Sequence, residues 1–242
     1  MLELLPVRGI APMLGLAVAL VAGLAIIAAV LVLFSVALIE RGQARTLAGL
    51  LPPAVAPDTQ ARVAVVYFSR SGNTALAARY LARRFQAALF PLAVPADTQE
   101  HAYPLGMLGL ANALRDACRL KKVSASLPEN RPTTVDLSAF DTVWLGSPVW
   151  LYSPAPPIWH FVELNRFDDQ HVVLFNTYNS HIAEESVARL EALVMARGAR
   201  SFAHRKVLRG RMTRQLSPAH MLEVIEEDWF STDTDGVTHG AR

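Results

Sequence analysis

The chain is poor in cysteine and in charge. Cys118 is the only cysteine among 242 residues, so an intrachain disulfide and any CxxC or Cys/His metal site are excluded. We interpret Cys118, in the amphipathic segment LRDACRLKK, as a small packed residue. Charged residues make up 18% of the chain, against ~25% in an average soluble protein. With a net charge of only +2, nucleic acid is not expected as a partner.

Two glycine-rich signatures are also missing. The chain has neither the GxGxxG fingerprint of dinucleotide-binding folds nor the GxxxxGK motif of P-loop nucleotide hydrolases. An anion site in this chain must therefore be built from other residues.

The shortage of charged residues is greatest near the N-terminus. No charged residue occurs from Gly9 to Ile39, a run that would be ~46 Å long as a helix. Because a bilayer core of about 30 Å needs about 20 residues, we predict a transmembrane helix over 9–39, with its best span at Leu14–Leu38. A cleaved signal peptide is the alternative, but its apolar region is about 7–15 residues long and follows a basic start.

The flanking charges predict an orientation. Arg8 and the α-amine precede the apolar run, whereas Arg41, Arg45 and the more distant Arg62 follow it. The positive-inside bias therefore predicts a single-pass protein of the inner (cytoplasmic) membrane with its C-terminal domain in the cytoplasm.

The membrane lipid bilayer is thus one expected partner, and a second copy of the chain is another. Gly15, Ala19 and Gly23 form a small-xxx-small ladder that would let two helices approach closely. A homodimer is therefore a possible arrangement.

The domain organisation follows from these breaks in composition. We predict an N-terminal tail (1–8), the transmembrane helix (9–39), a Pro-rich linker (40–61), an α/β domain (62–230) and a flexible tail (231–242). The LPPAVAP stretch cannot continue a helix, and we interpret it as a semi-extended tether.

Strand-like and helix-like segments alternate through the domain, which predicts a parallel sheet with helices on both faces. The predicted strands are Arg62–Phe68, Leu89–Val94, Asp141–Ser147, His171–Phe175 and Ser201–Leu208. The predicted helices are Thr74–Ala87, Tyr103–Leu120, Ala155–Leu164, Glu184–Arg197 and Pro218–Trp229. Ligands of such sheets bind beyond the carboxyl ends of the strands, so function is expected in the loops Ser69–Thr74, Ser147–Pro157 and Asn176–His181.

The first of these loops, SRSGNT, ends a strand and opens a helix. A helix N-terminus has unpaired N–H groups and a partial positive charge, which suit an anion. Ser69, Ser71 and Thr74 add hydroxyl donors, Gly72 permits a close backbone approach, and Asn73 can cap the turn. The loop reads either as a phosphate cradle without a metal or as a capped turn with no ligand.

The next two loops favour the cradle. Trp150 and Tyr152 follow the end of a strand and suit a flat conjugated ring, although core packing alone would also explain Trp150. Tyr178, in FNTYNS, follows the next strand with amide and hydroxyl groups that can bond the polar edge of a ring.

YFSRSGNT, followed by DTVWLGSPVWLYSPAPP and a strand that ends in a polar loop, resembles the flavodoxin family over about Arg62–Arg211. The resemblance implies an α/β, flavodoxin-like, doubly wound five-stranded parallel sheet of order 2-1-3-4-5, preceded here by the transmembrane helix, and noncovalently bound FMN. Carried over by residue, the cofactor-binding set is Ser69, Arg70, Ser71, Gly72, Asn73 and Thr74 for the phosphate; Pro148, Val149, Trp150, Leu151 and Tyr152 near the isoalloxazine; and Thr177, Tyr178, Asn179 and Ser180 in the third loop.

The chain departs from the family in several ways. The third loop lacks the glycines that are common there, and the chain lacks the strong acidity that favours docking to basic redox partners. Arg70 occupies the variable position of the phosphate loop, where it could face the phosphate, but we expect a solvated side chain.

Three functions follow. The first is a membrane-anchored FMN protein that transfers electrons to an unidentified redox partner protein or quinone. The second is an FMN-dependent oxidoreductase, an NAD(P)H-dependent quinone reductase, in which His181, His160 and Tyr178 could line an open pocket over the ring. The third is a flavodoxin-fold interaction module that has lost FMN. No acid–base residue is assigned, because one-electron transfer does not need one.

Overall fold

The computed structural model describes residues 10–50, 60–95, 102–120, 127, 129–210 and 214–230, with side chains from residue 13 onward. The predicted tails at 1–8 and 231–242 and the proline stretch of the predicted linker lie outside the described residues.

The described strands form one sheet. They are β1 (Val63–Phe68), β2 (Ala88–Leu92), β3 (Thr142–Trp150), β4 (Ser153–Pro154), β5 (His171–Tyr178) and β6 (Ser201–Leu208). Five of them are parallel, in the spatial order β2-β1-β3-β5-β6, whereas the short β4 pairs antiparallel with the end of β3. Without β4 this is the order 2-1-3-4-5, so the predicted fold class is confirmed.

The strands are apolar on both faces because helices cover both faces. Val66 belongs to a hydrophobic cluster on one side of the sheet, and its neighbour Val65 belongs to the cluster on the other side. The helices are α1 (Ile10–Leu50), α2 (Asn73–Phe85), α3 (Met107–Arg119), α4 (Pro156–Leu164), α5 (Glu184–Ala196) and α6 (Pro218–Phe230). Residues of α3, α4 and α5 pack in the first cluster, and residues of α2 and α6 pack in the second.

Two central strands are longer than predicted. β3 continues past Ser147 to Trp150, and β5 continues past Phe175 to Tyr178. The register pairs Ser147 with Asn176 and Pro148 with Thr177, so the ladder includes a proline that we had interpreted as loop. Several candidate site residues therefore lie on strand ends, where the sheet holds them more rigidly than a loop would.

Helix α1 corrects the predicted linker. It contains 41 residues, or about 60 Å of helix, and continues through residues 40–50, which we had assigned to the tether. Ala37, Glu40, Arg41, Ala44 and Leu47 recur at helical spacing along one face. Ala37 and Leu47 are buried, which shows that this end of the helix packs on the α/β domain.

The other end of α1 is apolar and exposed. The segment from Met13 onward is long and apolar enough to cross a membrane, and its most apolar window is not buried within the protein. Such a helix near the N-terminus is either a membrane anchor or a signal sequence. Gly15 and Gly23 have no neighbouring atom within 4 Å of an added Cβ, and the homodimer stays a prediction.

Gly146 provides a test of the packing between the central strands. A Cβ at this position would lie 2.2 Å from Phe175 Cζ and 2.8 Å from Tyr67 Cβ. We expect Gly146→Ala to lower the free energy of unfolding by ~1–3 kcal/mol, the usual cost of overpacking. Urea unfolding of the full chain in detergent, followed by tryptophan fluorescence, measures the change. The control is Gly49→Ala, which has open space around it, and equal stability of the two variants would contradict the packing described here.

Candidate functional site

Three segments converge at the carboxyl edge of the sheet. They are the loop between β1 and α2, the end of β3 and the end of β5, because parallel strands bring their carboxyl ends to one edge. They enclose a polar cavity of about 90 Å³. Its lining residues are Glu40, Ser69, Arg70, Ser71, Asn73, Thr74, Pro148, Val149, Trp150, Thr177, Tyr178, Asn179 and Arg209.

The loop from Ser69 to Thr74 forms one wall of this cavity. Gly72 has φ +97°, a left-handed conformation that favours glycine, and its N–H donates to Ser69 Oγ at 3.2 Å. Asn73 Nδ2 donates to Ser71 Oγ at 3.1 Å. Helix α2 begins at Asn73, and Gly72 has no side chain with which to cap it. The first N–H groups of α2 are therefore suited to an anion.

A buried hydroxyl pair joins the first segment to the third. Thr74 Oγ1 and Thr177 Oγ1 lie 2.8 Å apart, and both residues are buried. Thr177 was predicted as part of a separate ring-contacting loop, but in the structure it lies against Thr74, at the end of the loop 69–74. One hydroxyl of the pair is left with a hydrogen-bonding position that a ligand oxygen could use.

Arg70 differs from its prediction. Its side chain is only 3% exposed and pairs with Glu40 of α1, so the expectation of a solvated side chain was wrong. Arg70 Nη2 also donates to the carbonyl oxygens of Pro104 at 3.1 Å and Gly106 at 3.2 Å. The guanidinium therefore links α1, the loop 69–74 and the segment before α3. The linker error and the Arg70 error share one cause, since a tether would have left Arg70 without this carboxylate.

A tight hairpin presents the aromatic residue of the second segment. Leu151 and Tyr152 connect β3 to β4 with φ values of +46° and +71°, as in a type I′ turn, which normally uses asparagine and glycine. Non-glycine residues in this conformation are strained, and such strain is common at functional sites. Tyr152 is half exposed, whereas Trp150 packs edge-on against Phe68 and Tyr103. Trp150 thus has a core role as well as bordering the cavity.

A second cavity of about 400 Å³ lies beside Tyr152. The rings of Tyr152 and His181 are 5.7 Å apart at its wall. Tyr178 lines both cavities, and burial raises the pKa of its phenol. The remaining lining residues are Val149, Leu151, Asn179 and Ser180. His160, which we had also considered for such a pocket, lies on α4 and is not among them.

A polar network connects the ends of β3 and β5, next to the strand residues that line the cavities. Asn176 Nδ2 donates to the Ser147 carbonyl oxygen at 3.0 Å, and Ser147 Oγ accepts from the Ala155 N–H at 2.8 Å. His204 Nε2 lies 2.9 Å from Asn176 Oδ1, and burial lowers the pKa of His204 to about 4. The imidazole is therefore neutral at pH 7 and can donate to Asn176. The network links β3, β5, β6 and the start of α4.

Arg209 borders the polar cavity and was not foreseen. It follows β6 directly, and its backbone N–H donates to the Tyr178 carbonyl oxygen at 2.8 Å. Burial lowers the pKa of Arg209 to about 10, so the guanidinium remains charged at pH 7. In the sequence it is one of several basic residues in HRKVLRGRMTR, and no periodic signal distinguishes it from its neighbours.

Comparison with known proteins assigns this fold to a family. The sequence model of the flavodoxins matches residues 62–223. The chain belongs to the flavodoxin family. Among solved structures, a Bacteroides uniformis ATCC 8492 protein assigned as a flavoprotein is 21% identical, with a TM-score of 0.50 over 69% of this chain and 99% of its own. A flavoprotein from Lactobacillus acidophilus NCFM, solved with FMN, is 20% identical, with a TM-score of 0.48 over 59% and 92%. No curated protein matches the chain.

Membership of the flavodoxin family supports FMN as the cofactor, and the residues present fit this group. The polar cavity combines a helix N-terminus with hydroxyls and Arg209, which suit a phosphate. Arg70 Nε is buried and makes no hydrogen bond within the described part of the chain, so a donor remains for a ligand. The adjoining cavity offers Tyr152 and His181 as flat groups beside which a ring could lie.

The loop hydroxyls can be tested individually. Ser71→Ala and Thr74→Ala should each weaken FMN binding by at least ~1 kcal/mol per lost hydrogen bond, or roughly fivefold in Kd. Quenching of flavin fluorescence during titration gives the Kd. Ser201→Ala is the matched control, because Ser201 starts β6 at the opposite edge of the sheet. Unchanged affinity in both loop variants would mean that this loop does not hold the phosphate.

Proposed function

We propose that this flavodoxin is anchored in a membrane by α1, binds FMN noncovalently at residues 69–74 and transfers electrons. The observation that carries the proposal is the packing of the polar end of α1 on the candidate phosphate loop. Leu47 of α1 is buried against Gly72, whose added Cβ would lie 3.1 Å from Leu47 Cβ. The apolar helix and the cofactor site therefore form one packed unit.

The same packing supports a retained anchor over a cleaved signal sequence. Arg41 donates to the Leu105 carbonyl oxygen at 3.2 and 3.3 Å, and Glu40 pairs with Arg70. Cleavage near the end of the apolar segment would break these contacts or free the short remaining part of α1 to leave the domain. The charges that follow the apolar run support an inner-membrane protein with the flavodoxin domain in the cytoplasm.

FMN, when bound, would supply the redox chemistry. The chain's own residues would hold the phosphate, position the ring beside Tyr152 and limit the access of water. The acceptor or donor would be a membrane redox protein or a quinone.

One observation favours quinone reduction as a second candidate. The cavity beside Tyr152 has about four times the volume of the polar cavity. Its wall includes the hydroxyl of Tyr152 and the imidazole of His181. Such a pocket could admit a substrate ring beside the flavin, which a simple electron carrier does not need. An interaction module that has lost FMN has less support, because the hydroxyls of residues 69–74 and two arginines still surround the polar cavity.

The anchor and the cofactor can be tested in one preparation. Full-length protein should remain in the membrane fraction after alkaline extraction, and the detergent-purified protein should be yellow and release about one FMN per chain on denaturation. A variant that begins at Glu40 should leave the membrane fraction. Full-length protein in the soluble fraction would contradict the anchor, and a colourless protein that does not bind added FMN would contradict cofactor binding.

Oxidation of NADH or NADPH separates the two candidates. A quinone reductase oxidises the nicotinamide rapidly only when a quinone is present, and Tyr152→Ala should lower that rate. A carrier shows no such turnover.

A further inference from the structure

Arg209 is a buried cation that has no carboxylate partner within the described part of the chain. Its side chain donates to the neutral Oε1 of Gln215, and Gln215 Nε2 in turn donates to Asn179 Oδ1 at 3.4 Å. The residue is 7% exposed, and no acidic side chain pairs with it among the residues that the structure describes. Desolvation is the sole cause of its lowered pKa.

An unpaired buried charge opposes folding, so its partner is best sought in a ligand. Arg209 lines the polar cavity together with Ser71 and Thr74, and it does not line the larger cavity beside Tyr152. The guanidinium therefore borders the space assigned to the phosphate and not the space assigned to the ring.

We propose that Arg209 binds the FMN phosphate together with the loop 69–74 and makes the site select FMN over riboflavin. The inference rests on the proposed FMN binding. A guanidinium offers several donors in a plane that matches phosphate oxygens, and riboflavin, which lacks the phosphate, gains nothing from this charge.

The test compares FMN and riboflavin titrations of the full chain in detergent. Arg209→Gln should raise the Kd of FMN at least tenfold and change that of riboflavin less than twofold. Arg209→Lys keeps the positive charge and should raise the Kd of FMN less than Arg209→Gln does. An equal change for both flavins would overturn the proposal, because it would indicate a structural role. Unchanged FMN binding would overturn it as well. Ser71→Ala separates failure of this inference from failure of the proposed function. If Ser71→Ala also leaves FMN binding unchanged, the proposal that the loop 69–74 holds the phosphate is wrong. If Arg209→Gln does not fold, the FMN-to-riboflavin Kd ratio of Arg209→Lys decides.

Glu40 carries a second inference, from different contacts. Its side chain is 15% exposed, pairs with Arg70 and lines the same polar cavity. The packing of Leu47 and the hydrogen bonds of Arg41 fix this part of α1 in place. A carboxylate is thus held at the border of the space assigned to the phosphate.

We infer that Glu40 is an internal anion that competes with the FMN phosphate for Arg70. Like charges in a poorly solvated site repel, so a phosphate in this cavity favours withdrawal of Glu40 from Arg70. FMN binding and the docking of α1 would then oppose each other, and the anchor helix would set the affinity for the cofactor.

Glu40→Gln should therefore lower the Kd of FMN at least fivefold and leave that of riboflavin unchanged. Glu191→Gln, on the exposed face of α5, is the charge-matched control. In the wild type, FMN but not riboflavin should increase hydrogen exchange in residues 41–50. An FMN Kd that is unchanged or higher in Glu40→Gln would overturn the inference, as would equal tightening of both flavins or unaltered exchange.

Discussion

The parallel arrangement of β1, β3 and β5 is the constraint on which the other features depend. Because these strands are neighbours and run in the same direction, their last residues reach one edge of the sheet. Thr74 and Thr177 are far apart in the sequence, yet the arrangement brings their hydroxyls to 2.8 Å. The helix N-terminus, the tyrosines and the second cavity are all arranged around that edge. No long loop is needed to assemble them.

The sheet also explains why the site is largely preformed. Pro148 and Thr177 are paired in the β3–β5 ladder. Hydrogen bonds among Ser147, Asn176 and His204 connect β3, β5 and β6 next to this pair. The strained turn at Leu151 and Tyr152 is supported by the β3–β4 pairing. Strands β3 and β5 and helix α2 therefore carry about half of the side chains assigned to the flavin, which limits the ordering that binding would require.

The sheet could be predicted from the sequence because each strand and helix start is marked by a short run of neighbouring residues. Runs such as VAVVYF are apolar on both faces, and SRSGNT combines a turn with a helix start. The end of β3 was harder, because proline and serine in GSPVW are typical of loops, and only the neighbouring strand shows that they stay in the ladder. The role of Trp150 was ambiguous for a similar reason. Its partners Phe68 and Tyr103 come from distant parts of the chain.

The end of α1 and the position of Arg70 were predicted wrongly, and Arg209 was missed, but the three cases differ in the signal that the sequence contains. We placed the end of the helix at the first charged residues, although charge by itself does not end a helix and no proline occurs between Pro12 and Pro52. The recurrence of Ala37, Arg41, Ala44 and Leu47 was a usable signal for a packed continuation. Arg70 and Arg209 are different, because a single arginine has no period. Whether it is buried depends on tertiary contacts alone.

The packed end of α1 has a consequence for how far electrons would travel. Glu40 touches Arg70, and the apolar run ends at the residue before it. Under the proposed anchoring, the phosphate loop would lie within about one helical turn, or ~5 Å, of the membrane-facing end of that run. The domain could not then sweep through the solution as a tethered one does. As long as α1 stays packed on the domain, the flavin site would be held at a fixed height, and only partners whose redox centres reach the membrane surface would come within tunnelling range.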